Sequence, residues 1–297
     1  MPKKSSRRTA IRNFVTGSAA LVAGNSVLAS FSTLDKLERK LKLKGNINHS
    51  VCRWCYNDIP LDELCKSVKK IGFGAIDLVA PKDWPVLQQY GLYSSMCYTA
   101  GEISLTKGWN NTTYHNSLIH DYTEVIPLMV KAGYKDLICF SGNRDGMDNE
   151  TGLQNCVKGL KQILKLAENN GITIQMELLN SKIDHKDQMC DNSKWGVELC
   201  KRLSSPNFKL LYDIYHMQID EGDVIRTIRE NVPYFGHYHT GGVPGRHEID
   251  ETQELYYPAV MQAIVATGFK GYTAQEFIPA AKDKIASLKK AIKICDV

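Results

Sequence analysis

The chain has 297 residues, of which 43% are hydrophobic and 23% are charged, a composition typical of a globular protein and not of a disordered, collagen-like or coiled-coil chain. The formal net charge of +5 comes from 37 basic and 32 acidic residues. Residues 1–29 contain five of the basic residues and no acidic one, which leaves 32 basic residues against 32 acidic ones. This neutral remainder argues against nucleic acid as a partner.

The first 29 residues have the composition of an export signal. Arg7 and Arg8 precede a moderately apolar stretch, residues 14–29, which ends in small residues before Ser30. The segment around the two arginines resembles a twin-arginine signal, although Ala10 stands where that pattern favours a large apolar residue. We expect a soluble, periplasmic mature protein; ordinary secretion and a disordered tail are the alternatives. Because a membrane-spanning helix needs roughly 20 apolar residues, we expect no membrane insertion.

The chain has nine cysteines, and an odd number in an exported protein leaves at least one thiol unpaired. Four of them lie in apolar or helix-like runs and are predicted to be core residues: Cys65, Cys139, Cys156 and Cys200. Cys52 and Cys55 form the one close pair. Packed loop thiols are the preferred interpretation of this pair, with a disulfide or a redox or zinc site as alternatives.

Short apolar runs alternate with longer amphipathic runs from about residue 45 onward, without a linker that would divide them. Eight runs have strand character: 46–51, 75–79, 93–97, 136–140, 172–179, 208–213, 234–239 and 271–277. The helical patterns between them include residues 61–72, 113–133, 151–171 and 256–268, all of which end in glycine.

This alternation predicts an α/β protein with a single (β/α)₈ TIM barrel over residues 45–297, preceded by a linker or helix at 30–44 and the signal at 1–29. A doubly wound open sheet is the alternative. It would be favoured by a glycine-rich phosphate-binding turn after the first strand, which the sequence lacks.

Four polar residues stand late in consecutive predicted strands, namely Glu177, Asp213, His239 and Glu276. In a barrel they would face one another across the mouth, because functional groups project from the carboxyl ends of the strands. Any one of them could instead cap a helix or pair with a surface lysine. Together they form a mostly oxygen ligand set that suits a divalent metal, Mg²⁺ or Mn²⁺ first, with Co²⁺ or Zn²⁺ as alternatives.

Two further motifs lie next to these residues. His216, three residues beyond Asp213, is close enough to reach a substrate at the metal, although a lone histidine is more often structural. A Gly/Pro-rich loop after the seventh strand is expected to bring Arg246 and His247 over the same mouth as substrate-binding residues. Arginine can hold a substrate carboxylate through two parallel hydrogen bonds; a loop-closing ion pair with Glu248 or Asp250 is the alternative.

Several segments together resemble the hydroxypyruvate isomerase family of xylose isomerase-like TIM barrels. They are GHYHTGGVPGRHEI (236–249), MELLNS around Glu177, YDIYHMQIDEGD around Asp213, FSGNRDGM (140–147) and GYTAQEF at the last strand. The resemblance implies that Glu177 and Glu276 act as an acid/base pair, that Asp213 and position 239 complete the metal site, and that His216 and Arg246 contact substrate. It implies an isomerase that converts hydroxypyruvate to tartronate semialdehyde through an enediolate.

Two features of the loop depart from that family pattern. The loop would resemble that of the hydroxypyruvate isomerases more closely with Gln in place of His239 and with Ala-Asp in place of Gly241 and Gly242. Histidine at the ligand position resembles the ketose epimerases of the same superfamily. We therefore expect a small-molecule substrate, either a hydroxy-keto acid or a sugar, and a homo-oligomer is compatible with the sequence. Epimerisation or dehydration of a sugar or inositol derivative, abasic-site cleavage and non-enzymatic sugar binding are the alternatives, and the neutral body argues against abasic-site cleavage.

Overall fold

Eight parallel strands close into one barrel in a computed structural model of the chain, which describes residues 41–99, 101 and 104–297. Each strand pairs with the next, and the first pairs with the last. The strands are β1 (Asn48–Cys52), β2 (Ala75–Val79), β3 (Tyr93–Cys97), β4 (Asp136–Cys139), β5 (Thr173–Glu177), β6 (Phe208–Asp213), β7 (Phe235–Thr240) and β8 (Tyr272–Gln275). The predicted export signal and residues 30–40 of the predicted linker lie outside the described residues.

Helices connect the strands on the outside of the barrel. They are α1 (Leu61–Ile71), α2 (Trp84–Gln89), α3 (His115–Ala132), α4 (Asn149–Asn169), α5 (Ser193–Leu203), α6 (Ile214–Asp220), α7 (Val224–Glu230), α8 (Tyr257–Ala266) and α9 (Lys284–Cys295). Side chains of Asp148, Asn192 and Asp283 accept hydrogen bonds from backbone N–H groups at the starts of α4, α5 and α9. No helix among the described residues combines the length and apolar character that a bilayer crossing requires.

The predicted TIM barrel is confirmed, and the closed sheet excludes the doubly wound alternative. All eight predicted strands are present. The bounds differ by one to two residues at most ends: the fifth strand ends at Glu177 and not at 179, and the eighth ends at Gln275. Glu276 therefore lies immediately beyond the carboxyl end of its strand, where a barrel presents functional groups.

The interior of the barrel is divided into an apolar and a polar half. Met96, Ile138, Phe140, Leu179 and Leu211 form an apolar cluster separate from the main core between sheet and helices. On the other side, buried polar residues contact one another across the interior, namely Ser50, Asp77, Ser95, His237 and His239. Because buried polar groups need partners, these residues stabilise one another as a polar network.

All nine cysteines are buried free thiols. Cys65, Cys139, Cys156 and Cys200 pack in the main core, as predicted. Cys52 and Cys55 are not joined, so they are packed thiols and not a disulfide. Burial raises the pKa of both thiols well above the ordinary range, which keeps them protonated and unreactive.

Candidate metal centre and active site

The four polar residues that the sequence singles out meet at the carboxyl ends of strands β5 to β8. Glu177 and Asp213 end β5 and β6, His239 is the penultimate residue of β7, and Glu276 follows β8. All four are buried. One ligand atom from each can be chosen so that all four lie within 4.8 Å of one another. This is the spacing of a mononuclear metal site with three carboxylates and one imidazole.

His239 is the centre of this cluster. Its Nδ1 atom lies 2.7 Å from Glu276 Oε2 and 3.2 Å from Glu177 Oε1. The other ring nitrogen, Nε2, points away from both glutamates and lies 2.8 Å from Asp77 Oδ2. Nδ1 is therefore the atom of His239 that faces the candidate metal position.

Asp213 has two functions in the fold. Its Oδ1 atom accepts hydrogen bonds from the backbone N–H groups of Tyr215 and His216 and so caps α6. Its Oδ2 atom faces the cluster, 3.0 Å from Arg246 Nη2. The helix cap that was the alternative explanation for this residue is thus present, and it orients the second oxygen toward the other ligands.

Arg246 reaches into the cluster from the loop after β7. Its Nη2 group donates to Asp213 Oδ2 and to Glu276 Oε2. The guanidinium lies between two aromatic rings, 5.3 Å from the centre of Trp54 and 5.1 Å from that of Tyr215. Arg246 therefore pairs with the cluster and not with Glu248 or Asp250, which excludes the loop-closing ion pair.

The two predicted histidines are placed differently. His216 is fully buried; its Nδ1 atom lies 2.6 Å from Asn180 Nδ2 and its Nε2 atom 3.0 Å from Arg246 Nη1, so it contacts the cluster but does not line the cavity. His247 is exposed, and its Nδ1 group donates to the carbonyl of Ile278. The structure does not bring His247 to the cluster, because the left-handed backbone at Arg246 (φ +58°) and the Ile278 contact direct its ring elsewhere.

The charges of the cluster shift the pKa values of its members in opposite directions. Burial and the neighbouring Glu276 raise the pKa of Glu177, and burial raises that of Asp213. Burial also acts on Glu276, but His239 and Arg246 hold its pKa well below the ordinary value. Burial lowers the pKa of His216, which is therefore a neutral imidazole at pH 7. A divalent cation among these carboxylates would favour their charged forms.

Three residues of the site were missed in the sequence. Asp77 in β2 contacts His239, Trp54 Nε1 donates to Glu276 Oε1 over 2.7 Å, and His185 lines the cavity with its ring 5.2 Å from that of His216. Asp77 carried a usable signal, because it is a charged residue within the apolar run AIDLV. Trp54 begins a one-turn 3₁₀ helix and His185 lies in a loop, and segments this short have no periodicity that a sequence analysis could use.

A cavity of about 710 Å³ opens above the cluster. Its lining includes the charged residues Glu177, Glu276 and Arg246 and aromatic residues such as Tyr98 and Phe140. Other described lining residues are Arg53, Trp54, Asn57, Leu78, Ala80, Pro81, Lys82, Gly101, Leu105, Leu179 and His185. The volume is that of a small-molecule site, which typically occupies about 300 to 1,000 Å³.

Of the two glycines that depart from the family pattern, Gly242 is required by the loop geometry. A Cβ atom added at Gly242 would lie 2.3 Å from the carbonyl oxygen of Glu248, which no side chain tolerates. The backbone of Gly242 also pairs with His247 as an isolated bridge. The Asp that the isomerase pattern has at this position would not fit the loop as it is built here.

This arrangement can support proton transfer next to a bound carbonyl. Glu177 and Glu276 both line the cavity and can exchange protons with a substrate there. Their partners His239, Trp54 and Arg246 fix the glutamate oxygens in place. The site thus combines positioned bases with a candidate cation position.

The chain is similar in sequence to a TIM barrel family and to proteins named as isomerases. A family described as Xylose isomerase-like TIM barrel matches residues 65–293. The 2-oxo-tetronate isomerase of Cupriavidus necator is 33% identical over 111 residues, 37% of this chain and 42% of the relative. The putative hydroxypyruvate isomerase of Homo sapiens is 32% identical over 104 residues, 35% of this chain and 38% of the relative. The aligned part thus spans less than half of either relative.

Solved structures show the same fold. A protein from Brucella melitensis described as an AP endonuclease of family 2 superposes with a TM-score of 0.72, covering 82% of this chain and 97% of the other, at 23% identity. At this identity the likeness concerns the fold alone.

Proposed function

This chain belongs to the xylose isomerase-like TIM barrel family, and on that premise we propose that it is a divalent-metal-dependent isomerase that moves a carbonyl between adjacent carbons of a hydroxy-keto acid. The proposed reaction is the conversion of hydroxypyruvate to tartronate semialdehyde through an enediolate. The observation that carries the proposal is the buried group of Glu177, Asp213, His239 and Glu276 at the base of the cavity. The similarity to 2-oxo-tetronate and putative hydroxypyruvate isomerases supports it.

The residues present fit a divalent metal ion. Three carboxylates and one imidazole, with donor atoms within 4.8 Å of one another, form a hard ligand set that suits Mg²⁺ or Mn²⁺, and Co²⁺ or Zn²⁺ as alternatives. When bound, such an ion polarises the substrate oxygens and stabilises the negative charge that develops on them. Glu177, Asp213, Glu276 and Nδ1 of His239 would hold it.

Glu177 and Glu276 carry the proton transfers in this proposal. One glutamate takes a proton from the hydroxyl-bearing carbon next to the carbonyl, and the other returns a proton to the former carbonyl carbon. The hydroxyl proton passes to the former carbonyl oxygen, so the numbers of atoms and charges are unchanged. Positioned groups of this kind contribute typically about 10² to 10⁴ in rate. Trp54 and Arg246 hold Glu276 by hydrogen bonds, so its carboxylate is oriented before substrate arrives.

The charge of the cavity supports an acidic substrate. Arg53, Lys82 and Arg246 line it, against the acidic pair Glu177 and Glu276 among the described residues. Once the carboxylates are neutralised by a divalent cation, the lining is positive overall, which attracts an anion. An arginine beside the reacting carbons suits the carboxylate of a hydroxy-keto acid.

Epimerisation of a keto sugar or inositol derivative is the second candidate. Two observations favour it: His239 stands where the hydroxypyruvate isomerases have Gln, and the cavity of about 710 Å³ is large for a three-carbon acid. The metal set and the glutamate pair would be the same, so substrate tests separate the two reactions.

The proposal is tested by NMR in D₂O with the Mg²⁺-loaded full chain, given hydroxypyruvate and then a panel of ketoses and inososes. Appearance of tartronate semialdehyde with deuterium at the exchanged carbon is the expected result. Glu177→Gln and Glu276→Gln should each reduce exchange by at least about 100-fold. Glu198→Gln, which alters only a surface pair with Arg202, is the matched control and should retain full activity.

Exchange on a ketose but not on hydroxypyruvate would replace the first candidate by the second. Exchange that survives in both glutamine variants would contradict the proposed acid/base pair. Absence of exchange on every compound, with no metal bound, would leave sugar binding as the function.

We also propose that the chain is exported through the twin-arginine route, which carries folded proteins. The supporting features are Arg7 and Arg8 ahead of the apolar residues 14–29. In a bacterial host the full chain should appear in the periplasmic fraction, and the double variant Arg7→Lys, Arg8→Lys should remain in the cytoplasm. Equal export of both would contradict the route.

A further inference from the structure

We propose that Asp77 is a positioning residue that fixes the tautomer and orientation of His239, so that the Nδ1 lone pair faces the metal position. The inference rests on the proposed metal site but not on the identity of the substrate. His239 Nε2 lies 2.8 Å from Asp77 Oδ2, a distance at which the imidazole N–H donates to the carboxylate. Nδ1 lies beside the oxygens of Glu177 and Glu276. When a metal ion is bound, a proton held on Nε2 would leave Nδ1 free to coordinate it.

Asp77 is itself held by the polar half of the barrel interior. Ser95 Oγ donates to Asp77 Oδ1 over 2.5 Å, and Ser50 Oγ lies 2.5 Å from Ser95 Oγ. His237 Nε2 lies 3.2 Å from the same Asp77 oxygen. Asp77 is fully buried and does not line the cavity, so it touches neither substrate nor the metal position. Its action on the site is therefore through His239.

The backbone of β2 is distorted at the position that delivers Asp77. Leu78 adopts φ +55°, a left-handed conformation that is unfavourable for a residue with a Cβ atom. The register between β2 and β3 shifts on both sides of Asp77. Strain of this kind persists where the surrounding structure requires it, often at functional sites.

The bulge changes which side chains of β2 face inward. Ile76 and Val79 are buried in the main core. Leu78 packs against that core as well, but it also contacts the apolar interior cluster and lines the cavity. Asp77 and Leu78 thus both face the interior, although neighbouring residues of a regular strand face opposite sides. Because of this irregularity, β2 supplies both Leu78, which lines the cavity, and Asp77, whose carboxylate contacts His239.

The first test measures Mn²⁺ affinity by titration calorimetry. Asp77→Asn keeps the shape of the side chain but removes the charge that orders the imidazole, and it should weaken Mn²⁺ binding about 10- to 100-fold. The control is Asp136→Asn, since Asp136 is a half-buried carboxylate at the start of β4, bonded to Gln175 and not to His239. That variant should bind Mn²⁺ as the unmodified chain does.

The second test needs no substitution at Asp77. Long-range ¹H–¹⁵N NMR of the ¹⁵N-histidine-labelled, Mg²⁺-loaded chain reports which ring nitrogen of His239 carries the proton, and the signal is assigned by its loss in His239→Gln. We expect a protonated Nε2 and an unprotonated Nδ1. This measurement remains decisive if Asp77→Asn fails to fold.

Three results would overturn the inference: a proton on Nδ1, unchanged Mn²⁺ affinity in a folded Asp77→Asn, or two metal ions per chain. The last would indicate a second ion between Cys52, Asp77 and Nε2 of His239, whose donor atoms also lie within 4.8 Å of one another. Failure of the proposed function looks different, because the chain would then bind Mn²⁺ with an Asp77-dependent affinity yet turn over none of the compounds tested.

Discussion

Trp54 donates a hydrogen bond from Nε1 to Glu276 Oε1 over 2.7 Å, across the seam where β1 and β8 close the barrel. The two residues are 222 positions apart in the chain. The same indole ring lies against Arg246, which holds the other oxygen of Glu276. One partly exposed tryptophan therefore links the cavity wall to the carboxylate proposed to carry a proton.

Replacing Trp54 by Phe should lower kcat about 10- to 100-fold with little change in fold. The ring remains, but Glu276 loses a donor, and a hydrogen bond to a charged group is worth about 1.5–3 kcal/mol. Steady-state kinetics measures the effect. Trp84→Phe is the matched control, because Trp84 Nε1 donates to the Val79 carbonyl and not to Glu276. Equal kcat values for the two variants would show that the Trp54 bond has no part in turnover.

Replacing Arg246 by Gln should tighten Mn²⁺ binding about tenfold and raise KM. In the structure the guanidinium neutralises Asp213 and Glu276, so a metal ion must compete with this fixed positive charge. Without metal, the variant should melt at a lower temperature, since the buried carboxylates then lack their partner. Calorimetry with Mn²⁺ and thermal unfolding in EDTA measure the two effects.

Arg144→Gln provides the comparison, because Arg144 pairs with Asp191 away from the cluster. It should leave Mn²⁺ affinity unchanged. If Arg246→Gln weakened Mn²⁺ binding instead, Arg246 would position the metal ligands and would not compete with the metal ion for them.

The barrel was predictable because each strand and helix carries its own local pattern. Apolar runs predict strands such as β6. The four candidate ligands are each separated from the next by about one strand-helix unit, which predicts that they meet at one end of the barrel: Glu177, Asp213, His239 and Glu276. No such rule predicts contacts made through irregular backbone. Asp77 contacts His239 from an irregular part of β2, next to the left-handed Leu78. An apolar run such as AIDLV does not predict that conformation.

Contacts made by loop residues are equally hard to predict from sequence patterns. Arg246 and His247 are neighbours in the sequence and both were expected at the mouth, but only Arg246 enters the cluster. The turn that separates them includes a close backbone approach between Gly242 and Glu248, a contact within the loop that no periodic sequence pattern predicts. Trp54 follows β1 in a short turn and meets Glu276 only once the barrel is closed.

The buried thiols predict a simple chemical result. In the reduced, folded chain a thiol reagent such as DTNB should label none of the nine cysteines within minutes, because all are buried and the pKa values of Cys52 and Cys139 are raised well above normal by burial. In urea all nine should react. Fast labelling of one or two thiols in the folded chain would contradict the burial of Cys52 and Cys55 beside the cluster.

Acid should destabilise the barrel through His49, which is buried at the start of β1. Burial lowers the pKa of this histidine to about 4, and Asp296, 3.9 Å away, offsets only part of that effect. The native state therefore keeps His49 neutral, whereas the unfolded chain takes up a proton below pH 6.5. Stability is unaffected above pH 6.5 and is lost progressively as the pH falls toward 4. For this group alone, the loss between pH 7 and pH 5 is about 2 kcal/mol.

The comparison that isolates His49 is the change in unfolding free energy between pH 7 and pH 5, measured by urea unfolding in EDTA. His49→Asn should show a smaller change than the unmodified chain, since asparagine takes up no proton in this range. His120→Asn, at an exposed position of α3, should keep the full change. An equal pH dependence in all three chains would mean that the native barrel admits a protonated His49, paired with Asp296, at no free-energy cost.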